Sequence, residues 1–420
     1  MTETRTEEVG VRKHPSKVNW TVLEIVGLLL IFAAGYSVFN EETRTIDESV
    51  VTANTRFGFR LFWETFKRDP DRSNVLSPAS LGAALTMAAN GAAGETKTGM
   101  MGALDLEGLL PEEIDRSYAA LTELLEEKDG SIRVALANAL WARRGTRFEP
   151  AFIKRHRHSY AAEVRDLDFE SPQAAATIDA WVRHSTGIRR AGAAPAPIDP
   201  LTVLLLVDTV SFSGCWTAPF DTVTMEEAAF RLPGGATKRV RMMRRTGEVL
   251  AYEDKEFQAV CLPCGQGRLN LYLFLPREDS SLREFCARLD PWRFESWLAR
   301  FDERPGIFTL PRVRLACSLS LNDALKAMGM ESAFHMAKAD FSAMTPGKVF
   351  LSEVLHKTYV DLNERGANGS PGATPSPKTP DEPLPADLFS MAVDRPFFFA
   401  IRDATTGAFL FLGTVTDPVG

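Results

Sequence analysis

Two mostly apolar runs, Ala135–Trp141 and Val203–Phe212, stand far apart in the chain, each bounded by breakers. A run without apolar–polar alternation has no face to give to water, so it suits a strand covered on both sides. Further strand-like runs occur at Leu269–Leu275, Ile307–Leu315 and Thr358–Leu362. Phe397–Arg402 and Ala408–Val415 flank Asp403–Gly407 with the spacing of a hairpin. Helical patterns come earlier. Phe57, Leu61, Phe62 and Phe66 recur at helical spacing. Ser77-Pro78 opens a small-residue helix from Ala79 to Asn90, with Ser77 as its cap and Pro78 in its first turn. Helices early and widely separated strands late predict an α+β fold with long-range sheet pairing. No segment repeats and no long linker divides residues 46–420, which are read as one domain.

The segment before them is of another kind. Residues 1–17 are polar, and Arg12, Lys13 and Lys17 precede an apolar stretch over residues 18–39. Its unbroken centre, Ile25 to Ala34, has the length of a signal-peptide apolar region. A bilayer span of the longer stretch would need Glu24 near an interface. Ala33, Gly35 and Ser37 are small enough to serve a signal peptidase, and the flanking charges favour an internal amino terminus. A cleaved signal and an uncleaved type II signal-anchor both stay open, and either one exports residues 46–420, to the medium or tethered outside a membrane. A buried core helix is the third alternative. Over the whole chain, 48 basic residues against 55 acidic ones give a net charge of −7, which argues against nucleic acid as partner. Cys215, Cys261, Cys264, Cys286 and Cys317 are too few for a disulfide scaffold.

One stretch breaks the texture. Between Gly366 and Asp387 lie six prolines, at 371, 375, 377, 380, 383 and 385, with no large apolar side chain until Leu384. Missing donors and missing side chains predict an exposed loop, and a long loop inside a compact domain is usually functional. Catalytic motifs, by contrast, do not assemble. The sequence holds no nucleophile elbow, phosphate loop, dinucleotide fingerprint or His-Glu-x-x-His, so no enzyme, cofactor or metal is expected. Cys261-Leu262-Pro263-Cys264 has redox or half-metal spacing but no second pair, and it falls within an apolar strand. Two basic runs, Lys154–His158 with His156, and Lys238–Arg245 with Arg239, Arg241 and Arg244, read as solvated faces; polyanion binding is the alternative.

At this point the residues carry a resemblance. Asn74-Val75-Leu76-Ser77-Pro78-Ala79-Ser80, Gly91-Ala92-Ala93-Gly94-Glu95-Thr96 and Phe212-Ser213-Gly214-Cys215-Trp216 are similar to serpin motifs. Ala339-Asp340-Phe341-Ser342, His356-Lys357, Asn363-Glu364-Arg365-Gly366 and Asp394-Arg395-Pro396-Phe397 continue them in order, so the resemblance covers about residues 50–420. It implies the serpin fold: a central sheet A, two smaller sheets, eight or nine helices and an exposed reactive loop, here residues 364–390. It also implies the mechanism. A serine protease cuts the loop and forms an acyl-enzyme, and the freed loop enters sheet A as a new strand before the acyl bond hydrolyses. An extracellular serine protease, or another protein ligand of a non-inhibitory serpin, is the implied partner of a monomer.

The hinge of this loop matches the family in part. Glu364 and Gly366 stand where inhibitory serpins keep them, whereas Ala367 replaces a threonine or serine. Period-two alternation sends Ala367, Gly369, Pro371, Ala373, Pro375 and Pro377 inward, a small inner face, but each proline there removes a ladder donor. The scissile bond falls near Pro380-Asp381 when counted from Glu364 and near Pro385 when counted back from Pro396; Lys378 would suit a trypsin-like enzyme and Asp381 an Asp-directed one. Asn368-Gly369-Ser370 is a glycosylation sequon. Beneath sheet A, the resemblance assigns Ser77, Ser80, Asp208 and His356, with Trp216, to the region where the sheet opens. Asp208 stands where the family keeps asparagine, so either an ion pair with protonated His356 or a hydrogen bond from neutral His356 is expected.

Overall fold

The alternation of early helices and late strands resolves, in the computed structural model, into nine helices and fourteen strands among the described residues, 46–127, 132–160, 162–187, 198–214, 216–218, 220–364 and 388–418. The helices are α1 (Glu48–Phe66), α2 (Pro78–Asn90), α3 (Gly94–Ala103), α4 (Pro111–Glu126), α5 (Pro150–Ser159), α6 (Ala174–Thr186), α7 (Leu282–Ala287), α8 (Pro291–Leu298) and α9 (Asn322–Leu325). The strands are β1 (Asn74–Leu76), β2 (Ile132–Arg143), β3 (Glu163–Leu167), β4 (Leu204–Gly214), β5 (Asp221–Arg231), β6 (Thr237–Glu253) and β7 (Phe257–Cys264). They continue as β8 (Leu269–Pro276), β9 (Asp302–Pro311), β10 (Val313–Ser320), β11 (Leu351–Leu362), β12 (Phe389–Ala392), β13 (Phe397–Asp403) and β14 (Phe409–Val415). Residues 46–420 form a single compact unit. No helix among the described residues is long and apolar enough to cross a membrane, and the apolar stretch 18–39 lies outside them.

Five strands make the central, mixed sheet in the order β10-β11-β4-β2-β3. β10 and β11 are antiparallel, as are β4 and β2; β11 and β4 are parallel, as are β2 and β3. The apolar run in β4 has the predicted cause, since ten of its eleven residues are buried. The two smaller sheets expected run together into one of nine strands. β6 is long enough to pair with β5 along its first part, with β9 from Met242 to Ala251 and with β7 along its last, so one strand belongs to both. The run Ile307–Leu315 is not one strand either. It divides at Arg312 between β9 in the large sheet and β10 in the central one, the Arg312 N–H turning to the Arg241 carbonyl at 2.9 Å.

Helix α2 starts as predicted. Ser77 takes the cap position with its Oγ accepting from the Ser80 N–H, and Pro78 fills the first turn, where its missing donor is no loss. Its small residues let it run through the interior. A Cβ added at Gly82 would stand 2.0 Å from the Asn54 amide and 2.5 Å from the Tyr118 hydroxyl, so α1 and α4 approach this helix as closely as they do because glycine is there. Burial around Tyr118 pushes its phenol up to about 12, so it acts in the core as a hydrogen-bonding neutral group.

Candidate functional site

The central sheet has one seam that chain topology leaves without a covalent crossover nearby, the parallel pair β4/β11. Its register runs from Leu204 opposite Leu351 to Phe212 opposite Val360. The loop leaves from the end of β11, the last described residue being Glu364, and the chain is described again from Leu388, just before β12. A segment folding back from β11 runs antiparallel to it, and therefore antiparallel to β4 as well. Insertion would replace one parallel ladder by two antiparallel ones, which are slightly more stable per residue.

At mid-seam the structure brings together four of the five opening-region residues. Asp208 of β4 and His356 of β11 are directly opposite each other, and both are fully buried. His356 Nδ1 touches the Asp208 carboxylate, Ser80 Oγ donates to its other oxygen, and the Ser77 backbone N–H donates to His356 Nε2 at 3.0 Å. That last bond decides the tautomer. An N–H can only donate, so Nε2 accepts and carries no proton, and the ring proton sits on Nδ1 facing the aspartate. The ion-pair alternative is thereby replaced by the neutral one, because an imidazolium would set two N–H groups against each other.

Trp216 does not join this group. It lies beyond the carboxyl end of β4, where its Nε1–H donates to the Asn363 carbonyl at 2.7 Å and its ring meets Phe220 edge-on at 5.7 Å. The Phe220 N–H reaches the Glu364 carbonyl at 3.4 Å. Glu364 is 4% exposed, and its two carboxylate oxygens take Nε–H and Nη2–H donors from Arg312. Bidentate guanidinium–carboxylate geometry is the strong form of this contact. Arg312 carried no signal as a site residue in the sequence, where it is one of two arginines inside the run Ile307–Leu315. Arg312→Ala strands a nearly buried carboxylate and is expected to lower stability by about 3 kcal/mol, read as a shifted urea midpoint. Gly366, Ala367, Asn368, Gly369, Pro371, Lys378, Pro380, Asp381 and Pro385 lie outside the described residues.

The other sequence candidates take structural places. His156 is not on a solvated face: it is fully buried, with Nε2 2.9 Å from the Met87 carbonyl and Nδ1 against that of Phe152. Helical phase turns it inward while Lys154 and Arg157 stay exposed, and Arg155 pairs with Asp115. The side chain of His158 is outside the described residues. In the second run, Lys238 pairs with Asp417 and Arg239 with Glu227, Arg245 donates to the Glu248 carbonyl at 3.2 Å, and Arg241 and Arg244 are exposed. Cys261 and Cys264 are buried in β7, opposite Tyr272 and Leu269, and burial pushes the Cys261 thiol up to about 12, too high for a thiolate nucleophile.

Burial also lowers the pKa of His156 from its ordinary 6.5, against two carbonyls that favour the charged ring. The fold therefore holds the neutral form. Its contribution is complete above 6.5 and is lost as pH falls through that value toward the lower folded one. Urea melts at pH 7.5 and 5.5 are expected to show less loss in His156→Phe than in the parent.

Comparison with known proteins completes the assignment. A family model described as Serpin (serine protease inhibitor) matches residues 52–418. The chain belongs to the serpin family. Among this serpin's relatives, leukocyte elastase inhibitor from Bos taurus is 31% identical over 383 residues, spanning 88% of this chain and all of the relative. The Homo sapiens protein of that name is 29% identical over 384 residues with the same coverage. In structure, the serpin is similar to a thermophilic serpin, tengpin, in the native state, at TM-score 0.80, 26% identity and coverage of 89% of this chain and 95% of that one. Native protease nexin-1 with heparin matches at TM-score 0.79 and 24% identity over 88% and 99%. The serpin is thus of a protease-inhibitor family and not an enzyme's.

Proposed function

We propose that this serpin is an exported protein whose reactive loop is cut by serine proteases as a bait or binding segment, with weak covalent trapping. What supports the reading is the sequence alternation, which assigns Pro371, Pro375 and Pro377 to inward positions of a segment that would have to pair with β4 and β11. Each leaves one seam carbonyl without a donor, at about 1–3 kcal/mol for a buried group, or roughly 3–9 kcal/mol for three. Trapping is a race between insertion and deacylation, and every 1.4 kcal/mol on the insertion barrier slows insertion about tenfold. Protease cleavage followed by a denaturing gel tests it. Trypsin-like and Asp-directed enzymes, suited to Lys378 and Asp381, should give cut protein and little SDS-stable adduct; a robust adduct overturns the reading.

Active suicide inhibition is the second reading. Glu364, gripped by Arg312 at the base of the loop, and the small inner face of the hinge favour it, as does the naming of relatives as inhibitors. Export rests on the apolar stretch 18–39 with its basic flank. In expressing cells, a carboxyl-terminal antibody should find the serpin in the medium if the stretch is a cleaved signal, and in a full-length, carbonate-resistant membrane band if it is an anchor. A chain held inside the cell overturns both. Use of the Asn368 sequon would show as a mobility shift on deglycosylation.

A further inference from the structure

Strand β6 turns three arginines to solvent. Exposure alternates through Arg239, Val240 and Arg241, then breaks at Met242 and Met243, which are both buried. Arg244 thereby returns to the outer face, at a place where period two alone would have put Met243. The register with β5 shifts at the same point, Glu226 lying opposite Met242 and Asp221 opposite Arg244. On the other side Arg244 lies opposite Thr309 of β9, and Thr309 opposite Ala392 of β12, which is exposed. Met243, Phe308, Leu310 and Met391 fill the core side of these strands. Glu227, opposite Arg241, is taken by Arg239 at 3.5 Å, and neither Arg241 nor Arg244 pairs with a carboxylate among the described residues. The repulsion between these two guanidinium groups is a small cost that the fold does not offset.

The two arginines lie beside the two ends of the loop. The Arg241 carbonyl accepts the Arg312 N–H at 2.9 Å, and the Arg312 side chain grips Glu364, the last described residue before the loop. Ala392, two strands or about 10 Å from Arg244, belongs to β12, which the chain enters after Leu388. We propose that Arg241 and Arg244 form a second contact area for the protease that cuts the loop, one that favours enzymes with an acidic surface beside their active site. A protein–protein interface takes about 800 Å² from each partner, much more than one loop offers, so an enzyme seated on the loop spreads over the ground at its two ends. Unpaired arginines there meet carboxylates on the enzyme and act chiefly on the rate of encounter. A sulphated polysaccharide fits less well, because Asp221 and Glu227 stand among the three arginines and counterion release needs several unopposed cations.

This contact area rests on the proposed function only in that the loop must be cut; whether the enzyme is then trapped does not enter. Anionic and cationic trypsin share a preference for lysine, here Lys378, and differ in surface charge, so they serve as the probes. Cut chain and any adduct are counted together on denaturing gels, and each rate is divided by that enzyme's rate on a small lysine ester. The anionic enzyme should cut about fivefold faster than the cationic one at about 20 mM salt, and the advantage should fade at about 500 mM. Arg241→Glu with Arg244→Glu should remove or reverse the preference. Both side chains are exposed and the bond from Arg312 goes to the backbone, so the urea midpoint should stay as in the parent. Lys154→Glu with Arg157→Glu, exposed on α5, makes the same change of net charge elsewhere and should leave the preference intact. Equal cutting by the two trypsins, or an equal loss of preference in the α5 variant, overturns the contact area and leaves weak trapping standing. If the Arg241/Arg244 variant loses retention on a sulphated polysaccharide column while its trypsin preference is unchanged, the face belongs to a polyanion and the contact area is likewise overturned. An adduct overturns weak trapping alone, and a loop that neither trypsin cuts overturns both.

Discussion

Cutting the loop of the purified protein is expected to move its melting temperature by less than about 4 °C, roughly what ~1 kcal/mol brings in a large domain. Full insertion would do far more. It would exchange the β4/β11 parallel ladder for two antiparallel ones, on the order of ten added hydrogen bonds at about 1 kcal/mol each. Burial of the hinge's small inner face would add to that. Against these gains stands the ordering of the loop, at about 1–2 kcal/mol per residue. The sum is a small difference of large quantities, so the roughly 3–9 kcal/mol removed by Pro371, Pro375 and Pro377 decides its sign. Differential scanning calorimetry of intact and cut protein gives the answer directly. A rise on the order of tens of degrees, together with a covalent adduct, would show the prolines to be tolerated. Replacing all three with alanine restores the donors, and the triple variant should gain the cleavage-induced stabilisation that the parent lacks.

Asp208→Asn should stabilise the uncut protein by about 2 kcal/mol, read as a higher urea midpoint with an unchanged slope. Two effects compete. The carboxylate is fully buried and faces neutral His356 and Ser80, so no cation offsets its removal from water, a cost of several kcal/mol. In return it accepts a charge-assisted hydrogen bond from Ser80 Oγ, stronger by about 1 kcal/mol than a neutral equivalent. Desolvation is the larger of the two. Asparagine keeps an acceptor for His356 Nδ1–H and offers its amide to Ser80 Oγ, so no partner is stranded. Because Asp208 lies on the seam, opening relieves its burial, and the asparagine variant should also resist opening. A lower midpoint in Asp208→Asn would mean that the charge is compensated after all.

The elements most legible in the sequence were those with no wet face. The run in β4 and the small-residue course of α2 each had a single physical reading, since burial on all sides leaves no other pattern. The hairpin β13/β14 followed from its breakers at Asp403–Gly407. Ile307–Leu315 misled because composition does not reveal a change of sheet; the turn at Arg312 is set by a backbone bond to Arg241, far away in sequence. The joining of the two smaller sheets through β6 escaped for the same reason. Of the site, Ser77, Ser80, Asp208 and His356 were assigned through the family likeness, not through periodicity. The guanidinium on Glu364 was not foreseen, because a bidentate partner is a matter of distance in space. His156 sat in a basic run, and only its helical phase separates it from its charged neighbours.

The short strand β1 pairs with β14, Asn74 lying opposite Thr414, and beside that ladder Ser73 Oγ and Thr416 Oγ1 share a hydrogen bond across 343 positions. The large sheet is thus closed by the first strand meeting the last. During synthesis that ladder has no partner until the carboxyl end has left the ribosome. The apolar faces of β13 and β14, every residue of which except Arg402 is buried in the finished molecule, are made last. Such distant pairing makes folding slow, and it obliges the nascent chain to wait with its early helices formed and much of its core uncovered.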